Sequence, residues 1–146
     1  MPVPDEVRRI IAFANGDKAR AFDIIEKQLS VLVLRTQVLL SLSGIVVTVT
    51  GFSGRTIAQT SELARALIAT GIVVVLGSAA VAIGGVLRLR WLTQDLTDDL
   101  EETLARMLAL RDSKARFLTA ALVFFVVGFS CYVAAIAMML ASTPPL

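Results

Sequence analysis

The chain has 146 residues, 56% of them hydrophobic and 18% charged, with a mean hydropathy of +0.78. A soluble domain is usually about 45–50% apolar and about 25% charged, and a fold of about 150 residues still exposes roughly a third of its unfolded-chain surface. So large an apolar excess excludes a water-soluble enzyme, and equally an intrinsically disordered chain, which needs the opposite bias. No His is present and the only Cys is Cys131. Imidazole base catalysis, His metal sites, an internal disulfide and a Cys-rich zinc site are thereby removed.

In chain order, Val3, Val7, Ile10, Ile11 and Ala14 recur at spacings of three and four, which predicts an amphipathic helix. Asn15-Gly16 supplies its stop, and Asp17 is an N-cap for the next helix. The apolar positions Phe22, Ile25, Leu29 and Leu32 then lead directly into the first apolar run, 33–52. One continuous helix over 17–52 is the expectation. Residues 1–32 carry both charge signs, unlike the short basic start of a signal peptide, so they are expected to stay in the mature protein.

A short connection, 53–65, offers Ser53-Gly54 for a turn and Ser61-Glu62 as a helix start. The second apolar run is 66–87 and the third 117–141. Each of the three reaches the length of about 20 residues that a helix needs to cross a bilayer. The β-branched run 45–50 would favour a strand in water, but hydrocarbon forces the backbone to satisfy itself internally, so helix prevails.

Between the second and third runs, residues 88–116 are amphipathic. Leu92, Leu96, Leu100, Leu104, Met107 and Leu108 form a stripe opposite Asp95, Asp98, Asp99, Glu101 and Glu102. A helix lying on an anionic membrane carries Lys and Arg on its polar face. This acidic face favours an upright hairpin turning near 97–102 over a segment lying flat.

The fold class expected is an all-α membrane protein, a single bundle of three transmembrane helices with cytosolic helical extensions. Twelve of the 14 Lys and Arg residues fall in 1–35 or 88–116, whereas only Arg55 and Arg65 lie in the other connection. Positive charge is retained on the cytosolic side. The chain is therefore expected in a cytoplasmic (inner) membrane, with the N-terminus cytosolic, 53–65 outside, and the tail 142–146 outside.

Two sets of residues stand out. Arg35, Arg88, Arg90, Lys114 and Arg116 should share one depth as a cationic collar at the inner face, with Arg35 snorkelling to the headgroups and Trp91 anchoring beside Arg90. The collar reads as positive-inside anchoring, or more sharply as an anion site, since Arg grips phosphate bidentately. The second set is small residues that let helices approach closely: Gly44, Thr48 and Gly51 in the first run, Ser78, Ala80, Ala82 and Gly84 in the second, and Ala121, Gly128 and Ala135 in the third. The hydroxyls of Ser41, Ser43, Thr48, Thr50, Thr119 and Ser130 could line a pore or bond the carbonyl one turn back. The acidic set lacks the alternating ligands and central Gly of a calcium loop. No catalytic, cofactor-binding or metal-ligating set is expected, and no nucleic-acid partner. Cys131, in mid-run, reads as a small hydrophobe.

The stretches Glu26-Lys27-Gln28-Leu29, Leu34-Arg35-Thr36-Gln37, Thr48 to Arg55, Arg88-Leu89-Arg90-Trp91 and Arg111 to Phe117 resemble those of a group of small bacterial three-span membrane proteins of uncharacterised function. More distantly, the layout is similar to the transmembrane effector modules of Pycsar-type antiphage systems. That likeness implies two spans, an amphipathic cytosolic segment and a third span opened by a Lys.

Two functional expectations follow. One is a non-enzymatic protein that self-associates as a homo-oligomer, or scaffolds a partner, through cytosolic helices whose two apolar stripes call for covering. The other is a pore-forming or membrane-permeabilising effector. The orientation is directly testable: a periplasm-active reporter fused at Leu146 should be active and one inserted at 97–102 silent, and the reverse pattern overturns the assignment.

Overall fold

The structure, a computed structural model, describes residues 5–53, 57, 59, 61–87 and 100–141. Those residues are 92% helical, with no strand among them. Four helices follow in order: α1 (Asp5–Phe13), α2 (Lys18–Phe52), α3 (Glu62–Gly85) and α4 (Leu100–Ala141). Three of them, α2, α3 and α4, are long and apolar enough to cross a membrane.

Local chemistry sets the helix ends. Asn15 takes a left-handed conformation (φ 54°) and Gly16 follows at φ 75°. The Gly16 amide donates to the Ile11 carbonyl at 3.1 Å and the Asn15 amide to that of Ala12 at 3.2 Å. This is a Schellman closure, which satisfies carbonyls at the end of α1. One residue later, Asp17 caps α2: its carboxylate accepts from the Ala19 amide at 2.9 Å and the Arg20 amide at 3.4 Å. Ser61 caps α3 by accepting from the Ala64 amide at 3.3 Å. Helix α3 begins four residues before the apolar run expected over 66–87 and ends two short of it, because the Ser61 cap lies upstream of the first hydrophobic residues.

Helix α2 has 35 residues and α4 has 42. At 1.5 Å per residue they extend about 52 Å and about 63 Å. Each is longer than the hydrocarbon thickness of about 30 Å, and the charged residues of each gather towards its N-terminus. There, Val7, Ile10 and Ala14 pack with Ala21, Ile25 and Leu29 of α2 and with Leu104, Met107 and Leu108 of α4. This three-helix core forms a head. The two amphipathic stripes cover one another within the chain, a correction to the expectation that they need another protein. Residues 100–102 are already helical, while the rest of the expected turn (97–99) and Leu92 and Leu96 lie outside the described residues.

Beyond the head, the buried positions repeat at alternating steps of three and four. In α3 they are Ala64, Ile68, Gly71, Val75, Ser78 and Ala82. In α4 they include Leu118, Ala121, Gly128, Tyr132 and Ala135. In α2, Leu29, Thr36, Leu39, Ser43, Val46 and Thr50 follow the same rhythm. A period near 3.5 gives left-handed supercoiled packing. Helices α3 and α4 are antiparallel and closest. A Cβ built on Gly128 would stand 2.8 Å from the Gly71 carbonyl oxygen and 3.0 Å from the Val75 nitrogen, and one on Gly71 would stand 2.8 Å from the Gly128 oxygen. A Cβ on Gly85 would collide with the Phe117 ring.

No more than 28% of any of the three apolar windows is buried. Val38, Ile45, Val73, Leu76, Val123 and Val127 all face outwards. Such a surface is an aggregation hazard in water and the required surface in lipid.

Replacing Gly128 by Ala should destabilise the bundle by about 1–3 kcal/mol, because backbone atoms of α3 cannot yield to the added methyl. The control, Gly77→Ala, meets no atom within 4 Å and should lose nothing. Thermal unfolding in detergent micelles measures both.

Candidate functional site

Of the expected collar, Arg35 and Arg116 are exposed and Lys114 is half-buried, while Arg88 and Arg90 lie outside the described residues. Their depth follows from the register between α2 and α4, which run parallel. Gln28 bonds Arg111, and Leu39 clusters with Leu118 and Ala121. Arg35 therefore lies level with residues 114–118, so the three described cations share a depth. They do not converge on one another. Lys114 lines a cavity.

That cavity is a groove of about 560 Å³ along the seam of α2 and α4. Glu26, Ser30, Gln37 and Lys114 supply its polar groups, and Leu29, Val33, Leu34 and Leu110 its apolar walls. A smaller groove of about 290 Å³ lies at the far end among Val49, Ile68, Tyr132 and Met139.

The small residues divide into two groups. Ser78, Ala82, Ala121, Gly128 and Ala135 are buried in the bundle, whereas Gly44, Thr48, Gly51, Ala80 and Gly84 face outwards. Ser78 carries a further contact, its hydroxyl donating to the Ala121 carbonyl across the helix pair at 2.6 Å. Most of the other hydroxyls serve their own helix. Thr36, Ser43, Thr50, Thr119 and Ser130 donate to the carbonyl four residues back at 2.7–3.0 Å. Among the described residues no buried side-chain polar atom lacks a partner, and no group of three potential metal ligands is found. Asp95, Asp98 and Asp99 lie outside those residues.

The strongest polar constellation went unnoticed in the sequence. Arg111 forks onto Glu6 of α1, at 2.6 and 3.0 Å to its two carboxylate oxygens. It also donates to Gln28 of α2 at 2.8 Å and to its neighbour Asp112 at 2.7 Å. One guanidinium thus ties all three helices of the head. The available signal was its register: after Leu104 and Met107, position 111 continues the buried stripe, where a charge demands a partner. Gly71 and Thr36 were equally legible from the alternation of three and four in their own helices.

Comparison of the chain with protein-family models, curated proteins and solved structures finds no match. Its function is therefore argued from its own residues.

The Arg111 hydrogen bond, with the attraction of its charge, holds the Glu6 carboxyl below its ordinary value of 4.5 against a smaller opposing effect of burial. A depressed folded-state value means stability that is present above the ordinary value and lost as pH falls through the lowered one. Because Glu6 is half exposed, solvent screening keeps the gain to about 0.5–1 kcal/mol even for a bidentate pair. Glu6→Gln should lower stability by that amount at pH 7 and make it less sensitive to acid below pH 4.5. Chemical denaturation in micelles across pH 3–7 tests both parts.

Proposed function

We propose that this chain is a non-enzymatic integral protein of a bacterial cytoplasmic membrane, N-terminus cytosolic and C-terminus outside. In this reading it self-associates in the bilayer and presents its prefolded cytosolic head to a partner. The observation that carries the reading is the outward face of α2. Opposite its buried stripe, Ser41, Gly44, Thr48 and Gly51 follow one another at steps of three and four, all exposed. In lipid, close van der Waals approach and interhelical hydrogen bonds drive association, and small or polar outward residues serve both.

The head supports the scaffold part of the reading. Its apolar residues are buried on one another, and Arg111 fixes the three helices together. Arg20 covers the exposed Phe13 ring, 5.6 Å from its centroid. What remains outside is a charged surface of fixed shape, suited to a complementary partner. The pore reading draws less support, because Thr36, Ser43, Thr50, Ser78, Thr119 and Ser130 donate to backbone carbonyls rather than standing free to line a channel.

In a Cys131→Ser background, Gly44→Cys should cross-link between copies on oxidation in native membranes, whereas Val46→Cys, on the buried face, should not. A chain that is strictly monomeric by mass in mild detergent, without a co-purifying protein, overturns the proposal.

A further inference from the structure

The groove between α2 and α4 has the size of a ligand site, within the range of about 300–1,000 Å³ typical of such pockets. Its polar groups are ordered along α2. Glu26 is nearest the head, Ser30 is one turn on, and Gln37 lies deepest, about 16 Å from Glu26 at 1.5 Å per residue. From α4, Lys114 enters level with residues 31–35 of α2, between those extremes. Val33, Leu34 and Leu110 wall the same stretch. Glu26 and Lys114 line one cavity, yet neither forms an ion pair or side-chain hydrogen bond with another described residue.

We propose that this groove binds one glycerophospholipid of the inner leaflet, selected for a primary ammonium headgroup of the phosphatidylethanolamine class. The lipid's own sequence of groups matches that of the walls. The headgroup ammonium, outermost, meets the Glu26 carboxylate; the phosphate meets the Lys114 ammonium and the Ser30 hydroxyl; an ester carbonyl accepts from the Gln37 amide. The acyl chains leave along Val33 and Leu34 into the hydrocarbon. A purely anionic headgroup satisfies Lys114 but leaves Glu26 facing negative charge. A quaternary ammonium offers Glu26 no N–H. Basic pockets between membrane helices on the cytosolic side are general headgroup sites; the carboxylate above the lysine makes this one discriminate.

The inference rests on α2 and α4 crossing a bilayer with the head inside, and not on self-association. Full-length protein is reconstituted in nanodiscs of equimolar phosphatidylethanolamine, phosphatidylglycerol and phosphatidylcholine, and membrane insertion is verified by resistance to carbonate extraction. Lipid retained on the monomer is then read by native mass spectrometry. Charge-assisted hydrogen bonds correspond to preferences of about tenfold. Phosphatidylethanolamine should therefore be retained about tenfold over the other two. Lys114→Gln should reduce retention of all three lipids. Glu26→Gln should abolish the preference while keeping retention, and Ser30→Trp, filling the groove from an exposed position, should empty it. Millimolar inorganic phosphate should not displace the lipid. Equal retention of the three lipids, unchanged retention in Lys114→Gln, or displacement by inorganic phosphate each overturns the proposal. Failure of cross-linking at Gly44 bears only on the self-association reading.

Discussion

The bundle is built on one backbone crossing. Gly71 and Gly128 each lack the Cβ that would strike the carbonyl of the other, so α3 and α4 meet main chain to main chain. In lipid, helices have no hydrophobic reason to associate, and the energy comes from such contact and from hydrogen bonds across it. The Ser78 hydroxyl reaching Ala121 adds the second component two turns away. Helix α2 approaches this pair less closely, through Leu39 against Ala82, Leu118 and Ala121. A tight pair with a looser third helix leaves a seam beside α2, and both grooves lie along it.

The head follows from helix length rather than from a separate fold. Because α2 and α4 are each longer than the roughly 30 Å that a spanning helix needs, their polar ends stand parallel and turn apolar stripes towards each other. Helix α1, folded back by Asn15 and Gly16, fills the remaining side. An amphipathic stripe in a sequence states that something must cover it, without stating what. Here the cover is the same chain. Positions 7, 10 and 14 were legible as a face, but their pairing with 104, 107 and 108 was not, since it depends on a reversal some hundred residues away.

Composition and periodicity made the helices readable, down to the Asp17 and Ser61 caps, because these are local chemistry. The packing faces were only half readable. Small residues mark two different things, close approach inside a bundle and an outward surface, and Gly44 and Gly128 look alike in isolation. What separates them is phase. Gly128 falls in the three-four register with Ala121 and Ala135, whereas Gly44 falls out of register with Leu39, Ser43 and Val46. Arg111 was hidden for a related reason. It was counted among inner-face charges that set orientation, while its position in the stripe gave it a structural partner in Glu6.

Joint and groove are mechanically one object. Gln28, which accepts from Arg111, is followed by Leu29 of the groove wall, and Arg111 itself follows Leu110 of the opposite wall. The spacing of α2 and α4 is thus fixed at the head end of the groove by a charged hydrogen bond, level with Gln28, and beyond Gln37 by Leu39 clustered with Leu118. Both fastenings are made by the chain itself, so the width of the groove is set before anything enters. A ligand there adds contacts between two walls already held apart.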